Sequence, residues 1–375
     1  MFIAKALTLF FSSLLMITCV LVGISSLVYA KPFVPDSADF VLAEWDPDSP
    51  AQAESMNLEY IENLINQAQY PGKSAFNIGR ANALLNLYFQ SGQTQPKALY
   101  LHARILQHQH DFSSALKILD NVLQLKPQMS AAWLLKANIH LALAEHHNAK
   151  QACLNLIGQS DLLVASACSL EIESFQGKLA ASYASLSKVV ERYGLSEKES
   201  AVWLVQILAD MAYRLNDKAA ALVWLEKLEY KLKPVSYWAL WADIQLDNKR
   251  PELVYDQLSK IVSGSKFKDD ALLLRLVLAE QAINAPVHWQ TQLSNRIRLR
   301  IQREDKFHAA EIARFFIEVE PNPVSAIHWA EINWQMSKLE ADRQLLQQAI
   351  LMQADAALPE SGSGLSDYQF SEQAG

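Results

Sequence analysis

The chain has 375 residues, of which 51% are apolar and only 11 are glycine, and its 33 basic and 40 acidic side chains leave a formal net charge of −7 at pH 7. An acidic balance without a basic stripe argues against nucleic-acid binding. Between residues 31 and 354, short Pro, Gly and Asn breaks separate apolar segments at helical spacing, which argues against a sheet.

Residues 1–30 read as a targeting segment. Lys5 is the only charge before an apolar run from Ala6 to Ala30, and Val28-Tyr29-Ala30 offers the small residues a signal peptidase requires. The run is also long enough to span a bilayer, so retention as an N-terminal anchor is the alternative to cleavage after Ala30. In both cases Lys5 stays inside and the rest of the chain lies outside the cytoplasm: periplasmic or secreted if cleaved, inner-membrane anchored and facing the periplasm if not. Residues 31–50 carry four prolines and read as a linker or an N-terminal cap.

Residues 51–354 form the folded part, and 57–90 is its first, worn helical pair. Two stretches, 96–129 and 130–163, superimpose at a shift of 34 residues: Leu99 falls on Trp133, Ala103 on Ala137, Ala115 on Ala149 and Leu123 on Ile157. A repeat of this length marks a chain assembled from stacked helical pairs. Ala103 with Ala115, and Ala137 with Ala149, stand twelve apart where two helices would cross closely, and Pro127 stops the second helix of the first copy. This pattern resembles the tetratricopeptide repeat. The resemblance implies an all-α, right-handed α-solenoid of helix-turn-helix repeats.

Fainter copies follow. Ala209 and Ala221 keep the spacing, as do Ala242 and Val254, while 163–194 retains only a Gly177 turn and Trp329-Ala330 marks a last worn copy. The basic run Arg296 to Arg303 reads as one helix's solvated face. Residues 355–375 lack apolar periodicity and read as a disordered tail.

Cys153 and Cys168 fall on adjacent elements of such a solenoid. Two buried, reduced cysteines are the favoured expectation, with a disulfide as the alternative in an oxidising compartment. Six of the nine histidines, His102, His108, His110, His140, His146 and His147, lie within 102–147. Of these, His108, His110, His146 and His147 flank equivalent turns and form a candidate metal site.

No HExxH, GxSxG, Walker or GxGxxG pattern is present, so neither an enzyme nor a cofactor is expected. The resemblance implies a concave groove lined by first-helix residues: Tyr100, Arg104, Gln107, His108, Asn138, Trp203, Gln206, Asp210, Tyr213, Arg214 and Asp243. Such a groove takes a protein or peptide partner and no nucleic acid, and contact with a membrane is confined to residues 6–30 if they are uncleaved. The expected function is a non-catalytic interaction scaffold in the cell envelope, an assembly or maturation helper. A metal-handling accessory using the 102–147 histidines is the alternative.

Overall fold

The computed structural model describes residues 57–195, 199–227 and 233–357. The expectations for residues 1–30 and 31–50, and for the tail from 358 onward, lie outside the described residues; residues 355–357, expected in that tail, instead end the last helix because it runs on to Ala357. Within them the chain is all-helical, with seventeen α-helices. None of these is long and apolar enough to cross a membrane.

Sixteen helices pair into eight hairpins. The first four are α1 (Leu58–Gln67) with α2 (Ser74–Gln90), α3 (Pro96–His108) with α4 (Phe112–Leu125), α5 (Ser130–Ala142) with α6 (His146–Leu154), and α7 (Leu162–Glu173) with α8 (Leu179–Tyr193). The next four are α9 (Glu199–Arg214) with α10 (Lys218–Glu226), α11 (Val235–Asp247) with α12 (Pro251–Gly264), α13 (Asp270–Ala282) with α14 (Trp289–Gln302), and α15 (Ala309–Glu318) with α16 (Pro323–Met336). The last helix, α17 (Glu340–Ala357), stacks beside α15 as the first helix of a further unit would.

The turn inside most hairpins is one device repeated. His110, Ala144, Asn216, Lys249 and Asn284 each adopt positive φ, between 52° and 62°, two residues after the first helix ends. The next amide then reaches back to the helix: Asp111 N–H to Leu106 O at 2.9 Å, Glu145 to His140 at 2.8 Å, Asp217 to Ala212 at 2.9 Å. This αL closure satisfies carbonyls that a helix end leaves orphaned. Asp111 and Asp217 then start the second helix, accepting from the Ser114 and Ala220 amides at 3.1 and 2.9 Å. In the fourth hairpin Gly177 takes the left-handed role at φ 80°.

The small residues lie where the helices cross. Ala103, Ala115, Ala137, Ala149, Ala209, Ala221, Ala242 and Val254 are all buried, which permits the close approach expected of a hairpin seam. Two registers differ from the sequence reading. Ile157 is 66% exposed, and Leu156 occupies the core in its place, because α6 stops at Leu154 and the chain turns one residue early. Trp329 and Ala330 belong to a second helix, α16, rather than opening a repeat of their own.

First helices of successive hairpins pack on one another more closely than second helices do, so α3, α5, α7, α9, α11, α13 and α15 line the inside of the curve. The coil is tight enough for early hairpins to touch late ones. Val235 N–H donates to Gln69 O at 2.8 Å, and Gly72 N–H donates to Asp269 Oδ2 at 2.7 Å. Gly72 has φ 73°, and a Cβ there would come 2.7 Å from the Ser265 Cβ, so this approach requires glycine.

The cysteine expectation is corrected: Cys153 on α6 and Cys168 on α7 form a disulfide, with Cα atoms 5.7 Å apart. The spacing of successive hairpins places α6 against α7, within the range a disulfide can bridge. The bond ties the third hairpin to the fourth.

Candidate protein-interaction groove

The inner surface begins on α3. Tyr100, Arg104 and Gln107 are half-buried there and His108 is exposed. The Arg104 guanidinium lies 6.0 Å from the Tyr100 ring centroid and has no hydrogen bond or ion pair among the described residues. Burial raises the Tyr100 phenol, and the Arg104 charge opposes that shift. His108 Nε2 is 3.0 Å from Ser74 Oγ of the preceding hairpin. Asn138 on α5 is half-buried.

The α9 and α11 residues are held by internal partners. Trp203 packs against both neighbouring core clusters, which makes it a seam residue. Gln206 Oε1 accepts from the Ser236 hydroxyl at 2.6 Å. Arg214 donates to Asp210 at 2.8 Å and to Ser174 Oγ at 2.7 Å, with its guanidinium 4.0 Å from the Phe175 ring centroid. Tyr213 donates to Asp247 at 2.8 Å. Asp243 joins three inner helices, since Arg275 of α13 donates to it at 2.5 Å and Arg314 of α15 lies 3.5 Å away. The carboxyl-rich wall is thus cross-linked by arginines along the curve, leaving Arg104 as an uncommitted cation on α3.

This packing perturbs one acid strongly. Burial, then the Asp210 charge, pushes Glu171 up to about 8 from an ordinary value of 4.5, with Arg214 opposing. Between these values the unfolded chain ionises while the folded chain keeps the proton, so folding stability falls as pH rises and the penalty is complete above about 8. Glu171→Gln should therefore leave stability unchanged near the lower value and raise it by about 1–3 kcal/mol above the upper one. Urea unfolding across that window checks this; parallel wild-type and variant profiles would contradict it.

A second feature lies where early and late hairpins meet. A cavity of about 540 Å³ opens there, lined in part by Ser74, Gly79, Asn82, Arg296, Arg300 and Arg303. The expectation of a solvated basic face on α14 holds for Arg298 and Arg303, which are exposed, and is corrected for the other two arginines of the run. Arg296 and Arg300 both turn onto Asp270, whose side chain is 0% exposed, at the start of α13. Arg300 also bonds Asp305 at 2.6 Å. Burial pushes Asp305 up, but the His308 hydrogen bond and charge, with Arg300, outweigh it and hold the carboxyl at about 2.

The histidines take separate structural places. His102 stacks near Phe89, with centroids 5.7 Å apart, and burial lowers its pKa. His140 is buried and bonds Glu145 at 2.6 Å. His110 occupies the left-handed turn position against Phe112, while His146 and His147 open α6. Among the described residues, no three or more His, Cys, Asp or Glu side chains are grouped to hold a metal ion. His108, His110, His146 and His147 are therefore not gathered into one ligand set, because each follows its own turn geometry.

Sequence reasoning missed Asp270, Glu171 and the arginines of α13 and α15. Asp270 meets Arg296 and Arg300 from the other helix of its own hairpin and Arg275 reaches Asp243 across hairpins, whereas Asp210–Arg214 and Arg314–Glu318, each four residues apart, carried a local signal.

The sequence matches the family described as "Anaphase-promoting complex, cyclosome, subunit 3" over residues 74–156, from α2 to just beyond α6. No curated protein matches the chain. Among solved structures it is similar to a chain of the APC/C hetero-tetramer Cut9–Hcn1, at 11% identity over 79% of this chain, with a TM-score of 0.45. The present chain spans 56% of that chain's length. It is also similar to a tetratricopeptide repeat protein from Parabacteroides merdae, at 15% identity over 62% of this chain and 86% of the other, with a TM-score of 0.45. A third likeness is the C-terminal part of a TPR repeat-containing protein from Cytophaga hutchinsonii, at 11% identity over 66% and 99% of the two chains, with a TM-score of 0.36. The stacked helical hairpins, the small residues at their crossings and their αL turns, with the family match over α2–α6, give the described residues the fold of a tetratricopeptide-type α-solenoid.

Proposed function

We propose that the chain is a non-catalytic scaffold of the cell envelope that binds a partner protein or peptide along its inner surface, as an assembly or maturation helper. The observation that carries the reading is the uncommitted Arg104 beside Tyr100 and the exposed His108 on α3. Arginine and tyrosine supply much of the energy of protein interfaces. The envelope location is supported by the export-type segment ending at Ala30 and by the Cys153–Cys168 disulfide, which suits an oxidising compartment. The repeats then face the periplasm whether or not the segment is cleaved.

Arg104→Ala is the direct test, because its guanidinium holds no internal contact whose loss would unfold the chain. Capture of the tagged full chain from crosslinked envelopes should recover a defined envelope protein. The variant should bind that protein about tenfold more weakly, as loss of an interface anchor costs more than 1 kcal/mol. Undiminished affinity with intact folding would remove the α3 surface as the site. Arg214→Ala is less informative, since it also releases Asp210 and Ser174.

A further inference from the structure

A turn of the chain's own sequence lies across the C-terminal ends of the inner helices. Ser337–Leu339 connects α16 to α17. The Lys338 amide donates to Ala142 O at 2.6 Å, the terminal carbonyl of α5, which a helix end leaves without an internal donor. Leu339 packs against the apolar cluster that Ala137, Leu141, Cys153, Cys168 and Ile172 build between the third and fourth hairpins. Glu340 follows, its carboxyl held below the ordinary value by the Arg343 hydrogen bond first and, more weakly, by the charge of Arg214 at the end of α9.

The turn is shaped in advance for this position. Asp342 accepts from the Leu339 amide at 3.1 Å, the Ser337 hydroxyl at 2.6 Å and the Asn333 side-chain amide at 2.7 Å. The Lys338 ammonium sits over the Trp334 ring, 4.4 Å from its centroid. One main-chain hydrogen bond and one aliphatic anchor are contacts by which a groove holds an extended peptide. A segment already fixed in the bound shape makes them at low ordering cost.

We propose that Ser337–Leu339 is a self-ligand, and that the scaffold's partner presents an extended segment whose aliphatic residue and preceding main-chain amide take the same place. The proposal rests on the scaffold reading above and specifies its partner's chemistry. The Ala142 carbonyl takes the partner's amide, and the cluster around the disulfide takes the aliphatic side chain.

The probe is a labelled synthetic peptide with the sequence of residues 335–344, titrated into the full-length chain. An occupied site weakens apparent affinity by the fraction of time it stands open, so Leu339→Ala should bind the peptide about tenfold or more tightly than wild type. A peptide carrying Ala in place of its Leu should lose that gain. In the wild-type chain, saturating peptide should speed hydrogen exchange at the Lys338 amide, a readout that does not depend on the variant folding. Equal weak binding to both chains with unchanged Lys338 exchange would overturn the proposal. So would conversion of Leu339→Ala to a dimer in light scattering, which would make a second copy the occupant. Failure of the peptide beside a partner capture that still depends on Arg104 would overturn the self-ligand and leave the scaffold reading standing.

Discussion

Replacing Asp270 by alanine should cost about 3–5 kcal/mol of stability, the largest effect expected of any single substitution in the described residues. Its side chain is wholly buried at the first residue of α13, where a carboxylate also suits the helix N-terminus. Arg296 and Arg300 both bond it from α14, and Arg296 continues to the Lys268 carbonyl at 2.8 Å. Removing the carboxylate leaves the partly buried Arg296 without its ion-pair partner and Arg300 with Asp305 alone. Asp270→Asn should recover little, since the amide keeps the volume but not the charge. Asp305→Ala, which strips only one of Arg300's two partners, should cost less than either. Urea unfolding of the three variants checks the order, and a loss below about 1 kcal/mol for Asp270→Ala would mean that water satisfies both arginines. The neighbouring Asp269 holds Gly72, so the same variant should also loosen the contact between early and late hairpins.

The disulfide carries the second large effect. Closing a loop over a sequence separation of 15 restricts the unfolded chain by about 3 kcal/mol in the chain-entropy account. Cys153→Ala with Cys168→Ala should lower stability by about 2–4 kcal/mol, and the wild-type chain should lose the same amount when reduced. Both cysteines are almost fully buried, so reduction should require unfolding or local opening of the third and fourth hairpins. Unfolding curves with and without reductant measure this; coincident curves for wild type would show that the bond contributes nothing. Because solenoids unfold by units, the transition should lose cooperativity between residues 130–173 and the rest before it shifts as a whole.

The hairpins were legible in sequence where a small residue marks each crossing. Ala103 with Ala115 and Ala137 with Ala149 set the register of α3–α6 because nothing larger fits there. The twelve-residue pairing of small residues is absent from α13–α14, and that hairpin was not read. Its packing relies on larger apolar residues such as Leu273, Val277 and Leu293, all buried, which any amphipathic helix could carry. The groove positions on α3 came from the family resemblance and not from the pattern of this chain alone. Which of them stay uncommitted was not readable, since Asp243 meets Arg275 and Arg314 across 32 and 71 residues. The contact of Lys338 with Ala142 spans nearly the whole solenoid and leaves no local trace.

The proposed function places the partner on the inner surface and not on the outer one. A photo-crosslinking residue placed at Gln107 on α3 faces the inside, and one at Val223 on α10, 54% exposed, lies on a second helix. Irradiation of whole cells should yield a defined crosslinked protein from Gln107 and none from Val223. A crosslink from Val223 with nothing from Gln107 would place the binding surface on the second helices and contradict the account.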